Sequence, residues 1–140
     1  MLTGVIVLGV VLVLATAVGL GWRWYSGRLR ESPDARLTAA ELGQPLGSAA
    51  TLVQFSSAFC APCRATRVLL ADVAGKAEGV RHVEIDVDDR MDLVRQLGIS
   101  RTPTVLVLGP QGQITRRASG LPRRVDVDAA LALATAGAGR

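Results

Sequence analysis

The chain has 140 residues, 49% of them hydrophobic, and a formal net charge of +4. That length suits one globular domain rather than two, and that apolar content excludes a disordered polar chain. The charge argues for no nucleic-acid partner once it is placed along the chain, because residues 38–140 hold 12 basic and 10 acidic side chains and are nearly balanced.

Residues 2–20 carry no charge and almost no polar group. Nineteen residues at ~1.5 Å each reach about 28 Å, close to the hydrocarbon thickness of a bilayer. A transmembrane helix over residues 2–21 is therefore expected. Trp22, Trp24 and Tyr25 follow it, as interfacial aromatics do, so membrane lipid is an expected partner through residues 2–25. Ala15-Thr16-Ala17 resembles a signal-peptidase site, but the segment before the apolar run holds no Lys or Arg, and the run is long for a signal core. An uncleaved single-pass anchor in the cell membrane is the reading adopted. Arg23, Arg28, Arg30 and Arg36 lie after the helix and no basic side chain precedes it, so the positive-inside rule puts the C-terminal domain on the cytoplasmic face. The pairs Ala15/Gly19 and Ala17/Gly21 have the spacing of close helix–helix contacts, which small residues also show by chance in any such helix.

Residues 22–34 read as an interfacial stretch and linker, with turn signals at Ser26-Gly27 and Ser32-Pro33-Asp34. A domain over residues 35–140 follows. A short helix is expected at 39–42 and a buried strand at 51–55. A helix is expected at 62–76, with Ala65, Val68, Leu69 and Val73 inward and Pro62 in its first turn. A second strand at 80–87 has Val83, Ile85 and Val87 on one face. Asp88 is the expected cap of a helix whose stripe is Met91, Val94 and Leu97, stopped by Gly98. An apolar strand at 104–108, a turn at 109–112 and a strand at 113–118 form a hairpin. The last helix, 123–135, turns Val127, Ala130, Leu131 and Ala134 inward. Helical crossovers imply parallel neighbours and the tight turn an antiparallel pair, giving an α/β fold with a mixed central sheet flanked by helices. Residues 136–140 form a small-residue tail, expected to fray.

The chemistry centres on Cys60-Ala61-Pro62-Cys63, between a strand and a helix. A thiol at a helix N-terminus meets unpaired N–H groups and the positive end of the dipole, which stabilise the attacking thiolate. A second cysteine one turn later is placed to resolve a mixed disulfide. Two cysteines cannot staple a fold, and with His82 as the single histidine the chain lacks the four ligands of a structural zinc site. Two inert buried thiols are the plainer alternative. The acids Asp86, Asp88, Asp89 and Asp92 lack the spacing of a calcium loop and read as helix caps. Ser56 and Ser57 lack a base and a nucleophile elbow. Arg116-Arg117 and Arg123-Arg124 read as solvated faces.

FSSAFCAPCRATRVLL, EIDVDD, GISRTPTVLVL and QGQITRRASGL occur in the order and spacing of the thioredoxin family, which the chain resembles over roughly residues 35–136. The resemblance implies a thioredoxin fold behind the membrane helix, Cys60 as nucleophile and Cys63 as resolving thiol. Pro62 stands for the proline between the family's cysteines, with Ala61 replacing a glycine. Pro103 resembles the family's cis-proline, which with Thr102 would hold a substrate strand. Gly120 of Ser119-Gly120 would leave room for that strand, and Phe59, in place of the family's tryptophan, would line the groove. Three further departures stand out. Gln54 replaces a buried acid and cannot act as a base. His82 replaces a lysine and is a candidate proton carrier. Val68 replaces a mid-helix proline.

The implied activity is that of a protein-disulfide reductase acting on protein disulfides, with no metal or flavin cofactor. A thioredoxin reductase would recharge it in the cytoplasm, and a membrane electron carrier would do so outside. Alternatives are an extracytoplasmic disulfide oxidant or isomerase, which the Ala-Pro spacer disfavours, and a cytochrome c maturation thioredoxin, for whose usual insert there is no room. A non-catalytic tethered binding or chaperone module is the alternative from another class.

Overall fold

The computed structural model describes residues 1–31 and 35–137. The turn signal Ser32-Pro33-Asp34 and the end of the C-terminal tail lie outside the described residues.

Helix α1, Leu2–Tyr25, buries none of its residues against the rest of the chain. It is long and apolar enough to cross a membrane, and it continues four residues past the expected end of the apolar segment. Its backbone leaves the helix at Ser26 and turns at Gly27, whose φ is +84°. Strand β1, Arg30–Glu31, follows within the stretch read as linker and pairs antiparallel with the last strand. Two polar residues without an apolar period give no strand signal, so the ladder alone reveals it.

Helix α2, Ala39–Leu42, begins with a capping box. The Thr38 hydroxyl accepts from the Glu41 N–H, and the Glu41 carboxylate accepts from the Thr38 N–H at 2.7 Å. Gly43 closes the helix in the left-handed region. Strand β2, Ala50–Ser56, is buried at every position. Then come helix α3 (Ala61–Lys76), strand β3 (Val80–Asp86), helix α4 (Met91–Gln96), strands β4 (Thr104–Leu108) and β5 (Ile114–Ser119), and helix α5 (Arg124–Ala136). The sheet order is β1-β5-β4-β2-β3.

The crossover through α3 makes β3 parallel to β2, as expected. The crossover through α4 does not produce a parallel neighbour, which corrects the sequence reading. Strand β3 ends at Asp86 opposite Ser56, and β4 starts at Thr104 opposite Phe55. The connection thus begins and ends at the same end of the sheet, so β4 must run back antiparallel to β2.

Alternation along the strands splits the core into two layers. Val53, Phe55, Val83, Ile85, Leu106 and Leu108 pack with Leu42 of α2 and Leu93 of α4 on one face. Leu52, Val105 and Val107 pack with Leu70 and Val73 of α3 and Val127 and Leu131 of α5 on the other. The four inward positions expected on α5 are all buried.

Two helical stripes differ from expectation. On α3 the buried residues are Cys63, Thr66, Leu70 and Val73, while Ala65 and Val68 face solvent. Thr66 tolerates burial because its hydroxyl donates to the Pro62 carbonyl at 2.9 Å. On α4 the buried residue is Leu93 rather than Met91, with Val94 and Leu97 partly buried. Nor does Asp88 cap α4. Its N–H donates to the Asp86 carboxylate, Arg90 occupies the cap position without a side-chain bond to the helix N–H groups, and Asp92 pairs with Arg90. Arg117 is no simple solvated charge either, since it donates to the Leu97 and Gly98 carbonyls at the end of α4.

Phe55→Ala should lower unfolding free energy by about 3–5 kcal/mol, the cost of a large core cavity, whereas Val68→Ala should change it by less than about 0.5 kcal/mol. Denaturant titration of the full chain in detergent checks both, and comparable losses would contradict the placement of α3.

Candidate dithiol site

Strand β2 delivers the chain to Ser57, and a three-residue loop leads to Cys60, which sits at the N-cap of α3 in extended conformation. The Cys60 sulfur accepts the Cys63 N–H at 3.2 Å. Pro62 falls in the first turn, where a missing N–H breaks no helical bond. Cys60 and Cys63 form a disulfide, with sulfurs 2.05 Å apart. Cys60 is half-buried while Cys63 is 1% exposed, so an incoming sulfur meets Cys60 first.

The Thr102–Pro103 peptide bond is cis. Three bonds hold this loop beside the cysteine loop and the sheet end. The Ser57 and Thr102 hydroxyls lie 3.0 Å apart, the Gly120 N–H donates to the Pro103 carbonyl at 2.7 Å, and the Thr104 hydroxyl donates to the Arg101 carbonyl at 2.7 Å. Gly120, at φ +100°, occupies backbone space that side-chain-bearing residues rarely enter. Of the sites expected from sequence, Pro62, Thr102, Pro103 and Gly120 line one cleft of about 670 Å³ at this end of the sheet, while Cys60 and Cys63 flank Pro62 without lining it and His82 lies further back along β3. Phe59 is not among the lining residues. Its side chain is fully exposed, at 103% of the reference area.

Sequence reasoning missed the other wall. Trp24, Ser26, Gly27 and Arg28 line the same cleft. The Gly27 N–H donates to the Ser119 carbonyl at 2.7 Å, and a Cβ at Gly27 would collide with the Leu121 carbonyl. The only sequence signal was the turn pair Ser26-Gly27, which says nothing about what the turn packs on.

Behind the disulfide lies a neutral polar chain. The Gln54 amide donates to the Cys63 carbonyl at 2.8 Å and to the Ser56 hydroxyl at 2.9 Å. A carbonyl can only accept, so the amide nitrogen faces Cys63 and Gln54 Oε1 faces the histidine. His82 Nε2, 3.1 Å from that oxygen, is thereby fixed as a donor. The ring is connected to Cys63 through an amide that neither takes nor releases a proton in this pH range. Burial holds the His82 imidazole below its ordinary pKa of 6.5, against the opposing effect of Glu84. Glu84 is itself held low, chiefly by its bidentate pair with Arg67.

A depressed histidine pKa means that the unfolded chain binds more protons between the folded value and 6.5. Stability should therefore rise with pH across that window and be fully present above it. Denaturation midpoints of the full chain should fall on acidification below pH 6.5, and His82→Gln should flatten that part of the profile. A profile unchanged by His82→Gln would contradict the assignment.

The Thioredoxin family model matches residues 36–132. Thioredoxin 2 of Chlorobaculum tepidum is 27% identical over 101 residues, covering 71% of this chain and 90% of its own length. Rabbit (Oryctolagus cuniculus) protein disulfide-isomerase is 33% identical over 100 residues, 68% of this chain but 19% of the isomerase. Thioredoxin H5 of Oryza sativa is 30% identical over 69 residues, and the chain spans 51% of its length. Among solved structures, a thioredoxin mutant from Halobacterium salinarum superposes with a TM-score of 0.57 at 20% identity, covering 63% of this chain and 76% of that one. Nicotiana alata thioredoxin superposes at 0.55 with 23% identity, covering 63% and 75%. At these identities the structures speak for the fold, and the family match speaks for descent. The chain belongs to the thioredoxin family of thiol–disulfide oxidoreductases, with Cys60 and Cys63 as its disulfide pair.

Proposed function

We propose that the protein is a membrane-tethered reductant of protein disulfides. The observation that carries this reading is the asymmetric pair at the start of α3, with Cys60 accessible at the helix N-terminus and Cys63 buried one turn behind it. In the reduced form the Cys60 thiolate is stabilised by the free N–H groups and the dipole of α3. It attacks one sulfur of the substrate disulfide, and the other substrate sulfur leaves as a thiolate. The Cys63 thiol loses its proton to water or to the departing thiolate and attacks Cys60 Sγ. The mixed disulfide breaks, the second substrate thiol is released, and the Cys60–Cys63 disulfide remains. Two electrons pass from the dithiol to the substrate.

Thr102 and Pro103 would hold the substrate strand, with Gly120 leaving space beside it. Gln54 would orient Cys63 through its carbonyl rather than take its proton, and His82 would fix Gln54. Ala61 and Pro62 place no charge or side-chain donor next to Cys60, which favours a reductant over an oxidant whose thiolate is strongly stabilised. Helix α1 would anchor the domain in the cell membrane, and the arginines after it favour the cytoplasmic face. There a thioredoxin reductase would recharge the pair, and a membrane electron carrier would serve on the opposite face. The likeness to rabbit protein disulfide-isomerase favours a second reading, disulfide oxidation or isomerisation by the same cysteines.

Cys60→Ser should abolish reduction of insulin disulfides by the full chain. Cys63→Ser should accumulate a mixed disulfide with substrate, detectable by non-reducing electrophoresis and mass spectrometry. Undiminished insulin reduction by Cys60→Ser would overturn the proposal.

A further inference from the structure

The membrane helix joins the domain at the same end of the sheet as the cysteines. Strand β5 ends at Ser119, opposite Thr104 at the start of β4. Strand β1 runs antiparallel to β5, with Arg30 opposite Arg117, and the Gly27–Ser119 bond continues that pairing toward the cysteine end. Only Ser26 separates the last residue of α1 from Gly27. Arg101 adds a second tie, donating to the Ser119 carbonyl at 3.1 Å and to the Ser26 hydroxyl. The turn at residues 26–28 is thus a wall of the cleft packed on the domain, not a free tether.

That wall gives the cleft a sign. Arg23 and Arg28 come from the membrane side, and Arg101 and Arg123 come from the domain. Among the described residues the single acid lining the cleft, Asp126, is already held by Arg123 in a two-point pair at 2.8 and 3.0 Å. Trp24 offers an apolar ring beside them. The volume of about 670 Å³ is ample for several side chains of an extended segment. A segment crossing Thr102 and Pro103 would share the cleft with these cations.

We infer that the cleft between the juxtamembrane turn and the Thr102–Pro103 loop selects acidic polypeptide segments next to the target disulfide. The inference rests on the exchange chemistry proposed above and adds the class of substrate. Arg23 and Arg28 are its specificity residues. They act on which segment is held, not on the sulfur chemistry. The position of α1 further implies that such segments lie close to the membrane surface.

The test uses the reduced full chain in phosphatidylcholine nanodiscs and two synthetic peptides, each with one internal disulfide, flanked by glutamates in one and lysines in the other. The glutamate peptide should be reduced roughly ten-fold faster at low ionic strength, with the ratio shrinking as salt is added. Arg23→Glu/Arg28→Glu should collapse or invert that ratio. Equal rates for the two peptides, or a ratio unmoved by the double variant, would overturn the inference. A preference seen in phosphatidylcholine but abolished in phosphatidylglycerol nanodiscs would also overturn it, by assigning the arginines to lipid headgroups. Reduction of a small aromatic disulfide by the unmodified chain reports the dithiol itself. Its failure would sink the exchange reading, while acid selection would still be judged by fluorescence anisotropy of cysteine-free versions of the two peptides. Preferential binding of the glutamate version would support the inference, and equal binding would overturn it.

Discussion

Strand β2 is hydrogen-bonded on both edges, parallel to β3 and antiparallel to β4, and all seven of its residues are buried. Its register sets where everything else can be. Because the side chains alternate, Val53 and Phe55 anchor one core layer while Leu52 and Gln54 face the helix that carries the cysteines. Because its neighbours are pinned residue by residue, the loops after β2, before β4 and after β5 open at one end of the sheet. The cysteine pair, the cis-proline and Gly120 meet there as a consequence of strand direction, with three hydrogen bonds trimming the fit.

The same geometry ties α1 to the cysteine end of the sheet. A short strand that runs antiparallel along β5 must send its preceding residues toward the cysteine end, so a helix placed just before β1 emerges beside the dithiol. A helix leading into the opposite end of the sheet would leave the site facing away from a bilayer. Under the proposed membrane reading, Arg23 and Arg28 would have both headgroups and substrate within reach, and their location in the cleft wall favours the substrate.

Much of this was legible in the sequence where local pattern and tertiary role agree. The apolar run of β2 leading into Cys60-Ala61-Pro62-Cys63 placed the site, and the stripe Val127, Ala130, Leu131, Ala134 placed α5. The readings that failed are those where hydropathy and position disagree. Thr66 tolerates burial because its hydroxyl is satisfied within its own helix, and the helix rotation that buries it leaves Val68, two residues on, facing outward. The acids around the start of α4 look like caps, yet Asp86 is used in a turn and Asp92, inside the first helical turn, in an ion pair with Arg90. The wall formed by Ser26, Gly27 and Arg28 carried no signal, because a turn pair does not reveal its packing partner. The Gln54–His82 link was visible only as two unusual residues; the strand register, with Leu52 opposite His82 and Gln54 opposite Glu84, puts them within reach on neighbouring strands.

Direction of electron flow is what separates a reductant from the oxidant reading of the same cysteines, and local electrostatics sets it. Within the motif, the neutral Ala-Pro spacer and the neutral Gln54 behind Cys63 leave the terminus of α3 as the group that stabilises the Cys60 thiolate, with the arginines of the cleft lying beyond Pro62. The most direct test is the reduction potential of the Cys60–Cys63 pair in the full chain, equilibrated against defined thiol–disulfide buffers. A reductant should give a value of about −270 mV, and a value of about −120 mV would contradict that reading.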